Sequence, residues 1–457
     1  MKTANMTTNL KPFANCLRAA APGFAFAFVL ALGVVVPGLA VGEEAGAAMQ
    51  GTPPVEASQV TMANYLQRPY SHWAFRNSGA PLNVVMIPRE GDISSFAAAS
   101  RPNLGSREFD DGQGKRASLE RIFEDNYADG LVVVRGKELL FERYFGGFNA
   151  HAQHIWFSMT KSLVSAAFGT LLATGEVDLE SSPADFVPEL ADSGFARTTV
   201  QQVLNHTTAI DFKENYTDNK SDFARYYAPA LGMGWLPGAA DAQPDDTDIY
   251  GVHDFLAKFI KPDPRRQPGE VFDYNSANAD ALGWITARSS GSSLGDFIGA
   301  TLWSKLGAEH DAYMVVDRAY MPVATGGMNS TLRDAARFGM MMRDGGRFMG
   351  QQLLPEIWVK RTLRLNKDLI SAMSANRKYQ GDPWIAYHNM WWVLNANPGE
   401  YCAVGIHGQV IYINRAADTV MAWFSSQPTA SSAGNPTFHA KLAAARNLAR
   451  QLQRQAR

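Results

Sequence analysis

The sequence has almost no cysteine. Its 457 residues include two, Cys16 and Cys402, and Cys16 lies in an N-terminal stretch whose removal we expect for the reasons given below. Loss of that stretch leaves Cys402 without a partner, so the mature chain would have no internal disulfide and no cysteine-built metal site. We expect no metal and no cofactor.

The sequence also lacks an excess of charge of one sign. It has 42 Lys and Arg against 44 Asp and Glu, a net charge of −2, with no basic tract, heptad array or low-complexity repeat. Nothing in this balance draws the protein to nucleic acid or to anionic lipid, so we expect no nucleic-acid partner. The hydrophobic content of 46% and charged content of 19% are those of an ordinary globular protein.

A long apolar run is present at the N-terminus. Lys2, Lys11 and Arg18 precede an uncharged stretch over residues 19–42, and small residues follow at 38–40. This three-part pattern predicts a secretory signal over residues 1–40, and hence a periplasmic or secreted protein with no stable membrane association after cleavage. The alternative is an uncleaved membrane anchor, since about 20 apolar residues can span a bilayer.

The rest of the chain divides by composition. Residues 41–120 are rich in proline, glycine and serine and predict an irregular wrapping segment; residues 121–457 predict the main domain, with a helical insertion at about 175–270. Strands at both ends of the main domain, with helices between them, predict an α+β fold whose antiparallel sheet is flanked by helices. The predicted elements are a hairpin over 128–148, helices over 158–173, 198–207, 276–289, 330–345 and from about 435, and strands over 407–414 and 418–426.

A serine and a lysine begin the helix predicted in "HIWFSMTKSLVSAAFG". Ser158 and Lys161 are three residues apart, so they share a helix face. A serine hydroxyl becomes a good nucleophile when a neighbouring base takes its proton, and a desolvated lysine is such a base. Lowering the lysine pKa from about 10.4 to about 7 costs roughly 4–5 kcal/mol, a cost found mainly at functional sites. The alternative is a helix start that carries Lys161 without using it.

Two later stretches extend this pattern. In "PGEVFDYNSANADALGWI", Tyr274 is a second proton carrier if the Lys161 cation lowers its pKa; alternatively it is a half-buried tyrosine before a helix capped by Ser276. In "YCAVGIHGQVIYIN", glycines at the start of a strand let the backbone approach a ligand and free an N–H to point at it. The alternative there is a β-bulge.

In this order, the three elements resemble the serine β-lactamase and penicillin-binding-protein superfamily. The resemblance is closer to its esterases and 6-aminohexanoate-dimer (nylon-oligomer) hydrolases, through "WFSMTKS", "GEVFDYNSANADALGWI", "GGMNSTLRDAARFG" and "GIHGQVIYIN". It implies a β-lactamase/transpeptidase-like fold in which Ser158 is the nucleophile, Lys161 its base and Tyr274 the proton shuttle. It also implies that the N–H groups of Ser158 and Ile406 stabilise the oxyanion.

The same resemblance suggests substrate contacts. "FKENYTDNKSD" is similar to a loop that brings a tyrosine over bound substrate, which points to Tyr216, and Asn329 in "GGMNS" matches a substrate-contacting asparagine. Gly405 and His407 flank the implied oxyanion residue Ile406, so they too are candidate substrate contacts. For Tyr216, Asn329 and His407 a purely structural role is equally open.

Departures from the penicillin-recognising pattern indicate the substrate. Ser276 replaces the usual asparagine of the second motif, and Ala403 stands where a cation usually meets a substrate carboxylate. Losing that charge-assisted hydrogen bond forfeits about 1.5–3 kcal/mol. We therefore expect a small-molecule ester or simple linear amide as substrate. The alternatives are β-lactamase or D-amino-acid peptidase activity, or a catalytically silent penicillin-binding-type sensor.

Other features are interpreted as structural. "GSSLG" around Ser293 has the letters of a nucleophile elbow, but a predicted helix, not a strand, precedes it. His151 and His154 have metal-like spacing but no nearby acidic partner in the sequence. The basic residues of the final helix, including Lys441 and Arg446, predict a solvated face.

Overall fold

The computed structural model describes residues 48–233 and 249–455. The predicted signal over residues 1–40, like its alternative as an anchor, lies outside the described residues. Among the helices that are described, none is both long and apolar enough to span a bilayer.

The chain forms sixteen strands in its described parts, most of them in two sheets. The strands are β1 Val84–Ile87, β2 Ala97–Ala98, β3 Glu108–Asp110, β4 Arg116–Ser118, β5 Ala128–Arg135, β6 Glu138–Tyr144, β7 His154–Ile155, β8 Ala312–Val315, β9 Met328–Ser330, β10 Arg347–Phe348, β11 Gln351–Gln352, β12 Ala386–His388, β13 Trp391–Asn395, β14 Glu400–Gly405, β15 Gln409–Asn414 and β16 Thr419–Ser425.

Thirteen α-helices are described alongside these strands. They are α1 Tyr70–Ala74, α2 Leu119–Asp125, α3 Met159–Leu171, α4 Pro183–Phe186, α5 Val200–Leu204, α6 Ala228–Ala230, α7 Val252–Asp254, α8 Ala277–Ser290, α9 Leu294–Thr301, α10 Leu332–Arg343, α11 Glu356–Leu363, α12 Lys367–Ala375 and α13 Pro436–Arg454. The region at about 175–270 carries the short helices α4–α7 and two π-helical turns, Phe223–Tyr227 and Phe255–Phe259.

The main sheet joins the two ends of the predicted domain. Its eight strands run in the order β12-β13-β14-β15-β16-β5-β6-β2, and every neighbouring pair is antiparallel except β2 with β6. The hairpin β5–β6 meets the C-terminal strands through β16, where Val420 pairs with Val134. Every residue of β16 is buried, which requires cover on both faces of the sheet. Helix α10 packs on β5, β15 and β16, and α2 packs on β5.

Helix α3 is buried along almost its whole length. Every residue from Met159 to Leu171 except Thr170 is buried, because α3 packs against α8, α9 and β14. Its apolar sequence therefore faces protein on all sides, and the helix lies within the range 158–173 predicted for it. The polar side chains within it, Lys161 included, must find their partners inside the molecule.

Two predictions fail here. The segment 41–120 is not merely irregular: β1 pairs with β8 in a second sheet of order β1-β8-β9-β7, with Val84 opposite Val315. A four-residue strand whose partner lies more than 200 residues later leaves no local signal. The final helix is not uniformly solvated either, because Lys441 is fully buried and Arg446 pairs with Glu400 at 2.7 Å.

Candidate active site

Ser158 and Lys161 meet at the N-terminal end of α3. Ser158 occupies the residue before the helix, and Lys161 follows one turn later with its side chain fully buried. The Lys161 Nζ donates a hydrogen bond to Ser158 Oγ at 2.8 Å and another to the Thr325 carbonyl at 2.9 Å. The lysine is therefore held with its amine directed at the serine hydroxyl.

The surroundings of Lys161 favour the loss of its proton. Burial lowers its pKa from 10.5 to about 8, although the carboxylates of Glu214 and Asp280 act in the opposite direction. A lysine with this pKa has a neutral fraction near pH 8 that can accept the proton of a neighbouring hydroxyl.

Tyr274 lies close to both Ser158 and Lys161. Its hydroxyl is near enough to the Ser158 hydroxyl for the two to interact, and the Lys161 Nζ lies 5.2 Å from the centroid of its ring. Burial and the charge of Glu214 raise the pKa of Tyr274 well above 10. This corrects the prediction that Lys161 lowers it. The hydroxyl of Tyr274 is protonated at neutral pH and is available as a proton donor.

The backbone around the two implied oxyanion residues is closely packed. A Cβ on Gly405 would lie 2.3 Å from the Trp156 carbonyl oxygen, so only glycine lets β14 approach the chain just before Ser158. Phe157 and His407 have φ values of 46° and 58°, in the left-handed region that costs a non-glycine residue about 1–3 kcal/mol. These two residues adjoin Ser158 and Ile406, so the strain is located beside both implied N–H donors.

A cavity of about 740 Å³ opens onto Ser158, a size typical of a small-molecule site. Its wall includes Tyr65, Leu66 and Gln67 from the N-terminal segment. Within the parts of the chain that the structure describes, Glu214 is the one charged side chain on this wall. Its two carboxylate oxygens accept hydrogen bonds from the Ser276 N–H and, at 2.7 Å, from the Tyr216 hydroxyl.

The predicted substrate contacts separate into two groups. Tyr216, Ile406 and His407 line the cavity together with Ser158. Asn329 does not: it is fully buried in β9, where its Oδ1 accepts a hydrogen bond from Ser78 at 2.6 Å and its Nδ2 donates to the Gly327 carbonyl. We therefore assign Asn329 a structural role. Gly405 is likewise not on the cavity wall.

Several residues at the site are not evident from the sequence. Asp280 on α8 is buried and accepts a hydrogen bond from the N–H of Thr325 at 2.9 Å, and thus helps to hold the residue whose carbonyl binds Lys161. Burial raises its pKa to about 7. A carboxylate between Ala279 and Ala281, in a helix segment rich in apolar residues, is a local signal for such a residue, whereas nothing local indicates that Tyr65 reaches the cavity.

The serine and histidines to which the sequence assigned structural roles have such roles or lie away from a metal site. Ser293 caps α9, accepting a hydrogen bond from the Asp296 N–H at 3.2 Å, and α8 ends just before it, so there is no elbow. His154 does have an acidic partner: its Nε2 lies 3.2 Å from Asp129, which the sequence did not indicate because the carboxylate is 25 residues away. No group of three or more potential metal ligands occurs among the described residues.

Comparison with known proteins agrees with this site. The sequence model of the family described as Beta-lactamase matches residues 119–445. The chain belongs to the beta-lactamase family. A 6-aminohexanoate-dimer hydrolase from Paenarthrobacter ureafaciens is 31% identical to it over 376 residues, which cover 82% of this chain and 90% of that relative. The predicted family is therefore confirmed.

Similar solved structures confirm the predicted fold. One, named as a candidate 6-aminohexanoate-dimer hydrolase from Bacillus anthracis, has a TM-score of 0.74 and 26% identity, and covers 86% of this chain and 97% of its own. A penicillin-binding-protein homologue from Caulobacter crescentus has a TM-score of 0.51 at 15% identity, covers 72% of this chain and 96% of its own, and shows the fold alone. Membership of this family makes the protein a β-lactamase-fold hydrolase.

Proposed function

We propose that the protein is a serine hydrolase that cleaves carboxylic esters or simple linear amides through an acyl-enzyme. The observation that carries this proposal is the 2.8 Å hydrogen bond from the buried Lys161 amine to Ser158 Oγ at the floor of a cavity. A surface lysine would stay protonated, whereas burial lowers the pKa of this one to about 8.

The reaction follows from the contacts of the three residues. Neutral Lys161 takes the Ser158 proton as Oγ bonds to the substrate carbonyl carbon, and the carbonyl electrons move onto oxygen. The N–H groups of Ser158 and Ile406 stabilise that oxyanion. When the tetrahedral intermediate collapses, Tyr274 gives its proton to the departing oxygen or nitrogen and is reprotonated from the Lys161 ammonium. Water then attacks the ester of Ser158 by the same steps, which regenerates the serine.

The charge of the cavity wall supports a neutral or amine-bearing substrate. No lysine or arginine lines the cavity among the described residues, so a substrate carboxylate has no cation to meet there. The Glu214 carboxylate can instead bind an ammonium group, which one end of the linear amide named by the Paenarthrobacter relative carries; the carboxylate at the other end of that amide has no cation on the described wall. Ala403 is fully buried in β14, so a lysine introduced there would be a buried charge and would not repair the missing contact.

A hydrolysis screen with covalent labelling tests the proposal. The purified protein should hydrolyse p-nitrophenyl butyrate or 6-aminohexanoate dimer, and should do so far better than benzylpenicillin. A fluorophosphonate should label one peptide, the one that carries Ser158, and the Ser293→Ala control should be labelled equally. Penicillin turnover as efficient as ester turnover would move the assignment to β-lactamase. Absence of both label and turnover would favour a catalytically silent sensor.

The role of Glu214 has its own test. Glu214→Gln removes the charge while keeping an acceptor for the Ser276 N–H. It should lower kcat/KM for the ammonium-bearing dimer relative to the neutral ester by roughly 10- to 100-fold, the value of a lost charge-assisted hydrogen bond. The ratio of the two substrates is the readout because it cancels any change in the pKa of Lys161. An unchanged ratio would show that the amine does not bind Glu214.

We also propose that the protein is exported. The support is the charged, apolar and small-residue pattern of residues 1–40. N-terminal sequencing of the protein after expression in a bacterial host should place the start of the mature chain near residue 41. Recovery of the intact N-terminus in the membrane fraction would favour the anchor instead.

A further inference from the structure

Phe75 packs against the residues that adjoin the implied oxyanion donors. It lies N-terminal to residues 119–445, the part of the chain that the family model matches. It follows α1 in the N-terminal segment and is fully buried. Its carbonyl accepts a hydrogen bond from the Ile155 N–H at 2.9 Å, which joins α1 to the strand leading to Ser158. The family match begins at residue 119, so this contact comes from outside it.

The Phe75 ring contacts Phe157 and His407, the two residues with left-handed backbone conformations that adjoin the implied N–H donors. Its centroid lies 4.9 Å from that of Phe157, in a T-shaped arrangement, and 5.0 Å from that of His407. Phe157 and His407 also contact each other at 5.6 Å. The three rings thus form one cluster that joins the chain before Ser158 to the chain after Ile406.

The partners of the His407 ring restrict it further. Its Nδ1–H donates to the Gln427 carbonyl at 2.8 Å, and burial lowers its pKa to about 4, so the ring is neutral. His407 also donates its backbone N–H to the Ala430 carbonyl at 3.0 Å. With its Nδ1 and its backbone N–H engaged in hydrogen bonds, His407 is held with its ring packed against Phe75.

We propose that Phe75 is a positioning residue that holds the N–H groups of Ser158 and Ile406 in register for the oxyanion. An unfavourable backbone conformation persists only where the surrounding structure enforces it, and Phe75 packs on both such residues at once. This inference rests on the proposed function, because an oxyanion forms only if Ser158 attacks a carbonyl. The N-terminal segment would then complete the catalytic site and not only cover the domain.

A positioning role and simple core packing predict different kinetics. Core packing alone would lower the stability of the fold while each folded molecule kept its turnover. Positioning of the oxyanion donors acts on the transition state, so its loss lowers kcat and leaves KM nearly unchanged. The comparison therefore needs a variant that loses a buried phenyl group elsewhere. Phe123 on α2 is fully buried, and its ring contacts that of Trp423, away from the cavity wall.

Phe75→Ala, Phe75→Leu and Phe123→Ala should be compared with wild type on p-nitrophenyl butyrate, with rates corrected for the folded fraction measured by circular dichroism. We expect Phe75→Ala to lower kcat by roughly 10- to 100-fold, below the full loss of an oxyanion donor, with KM within about threefold. Phe75→Leu should restore part of kcat, and Phe123→Ala should leave it unchanged. Affinity for a short-chain trifluoromethyl ketone, which forms a tetrahedral adduct with serine, should fall in parallel with kcat, whereas affinity for the matching alcohol should not.

The outcomes separate the two proposals. A wild-type protein without serine-dependent turnover would overturn the proposed function, and the role of Phe75 with it. An active wild type together with a Phe75→Ala variant of normal kcat, or one that loses no more kcat than Phe123→Ala, would overturn the positioning role alone. If Phe75→Ala does not fold, Phe75→Leu decides: normal kcat and normal ketone affinity in that variant would also contradict the proposal.

Discussion

Among the residues that the structure describes, a buried lysine donates to a serine hydroxyl in two places, and only one of the two serines lines a cavity. Lys161 donates to Ser158 Oγ at 2.8 Å, and Lys441 on α13 donates to Ser425 Oγ at 2.9 Å. Burial lowers the pKa of both lysines, to about 8 for Lys161 and about 7 for Lys441. By pKa and distance alone, the second pair is as good a nucleophile and base as the first.

The surroundings of the two serines distinguish them. Ser158 precedes a helix and lines the cavity, close to Tyr274 and next to Phe157, whose backbone is in the left-handed region. Ser425 is fully buried inside the main sheet, where its backbone N–H and carbonyl both bond to the Gln409 side chain. No substrate can reach it there. A perturbed lysine is therefore insufficient evidence of catalysis unless a cavity gives the serine access to a carbonyl.

The largest expected effect comes from removing each serine hydroxyl. Ser158→Ala should abolish fluorophosphonate labelling and reduce ester turnover to the background rate, because no other described nucleophile has both a base and a cavity. Ser425→Ala should keep both label and turnover. Quantitative labelling with peptide mapping, followed by steady-state kinetics, measures this. Turnover that survives Ser158→Ala but is lost in Ser425→Ala would reverse the interpretation of the two pairs.

Removing each lysine is the next test. Lys161→Met should lower kcat by roughly 10²–10⁴-fold, the usual contribution of a general base, with little change in the affinity for a substrate analogue. Lys441→Met removes an equally buried amine and should leave kcat unchanged. Equal losses of kcat in the two folded variants would indicate a general effect of buried charge and not base catalysis by Lys161.

The pH dependence of turnover should reflect the electrostatics of Lys161. Only neutral Lys161 accepts the serine proton, so kcat/KM should rise with pH on a limb centred near pH 8. The Asp280 carboxylate raises the pKa of Lys161, so Asp280→Asn should move this limb to lower pH. That variant keeps an acceptor for the Thr325 N–H, which limits the structural change. A limb that stays in place in Asp280→Asn, or moves to higher pH, would contradict the assignment of Lys161 as the base.

The sequence alone was sufficient to predict features whose interacting residues are close along the chain, and features that belong to the motifs of the family. The spacing of Ser158 and Lys161 on one helix, the hairpin β5–β6, and the dismissal of Ser293 all depend on local pattern. The fold class and Tyr274 followed from the order of several such motifs.

Contacts set by distant packing could not be predicted. Phe75 reaches the site because α1 packs beside Ile155, 80 residues later. Lys441 has the sequence context of a solvated helix face, and only the packing of α13 brings it to the Asn126 carbonyl at 2.6 Å. The pKa of Tyr274 was predicted in the wrong direction because burial and Glu214, not Lys161, dominate it. In each case the residue that determines the contact or the pKa comes from a distant part of the chain.

The last comparison of the two lysines concerns the stability of the fold and not turnover. Lys441 has a pKa of about 7 in the folded protein against 10.5 ordinarily, so between these values the unfolded chain binds more protons than the folded one. Stability must then rise with pH across that window, by at most roughly 1.4 kcal/mol per pH unit for this group. Below about pH 7 the lysine is protonated in both states, and the full cost of burying its charge is present.

Lys441→Met should remove this contribution. The free energy of unfolding of Lys441→Met minus that of wild type should be most positive below about pH 7 and should decrease as pH rises toward 10, because the wild type recovers stability there. Urea unfolding at several pH values measures the difference. Lys161→Met should show the same sign, but its decrease should begin only near pH 8, where Lys161 loses its proton. A difference that is constant with pH for Lys441→Met would mean that Lys441 stays charged in the folded protein, in which case its hydrogen bonds to Asn126 and Ser425 outweigh its burial.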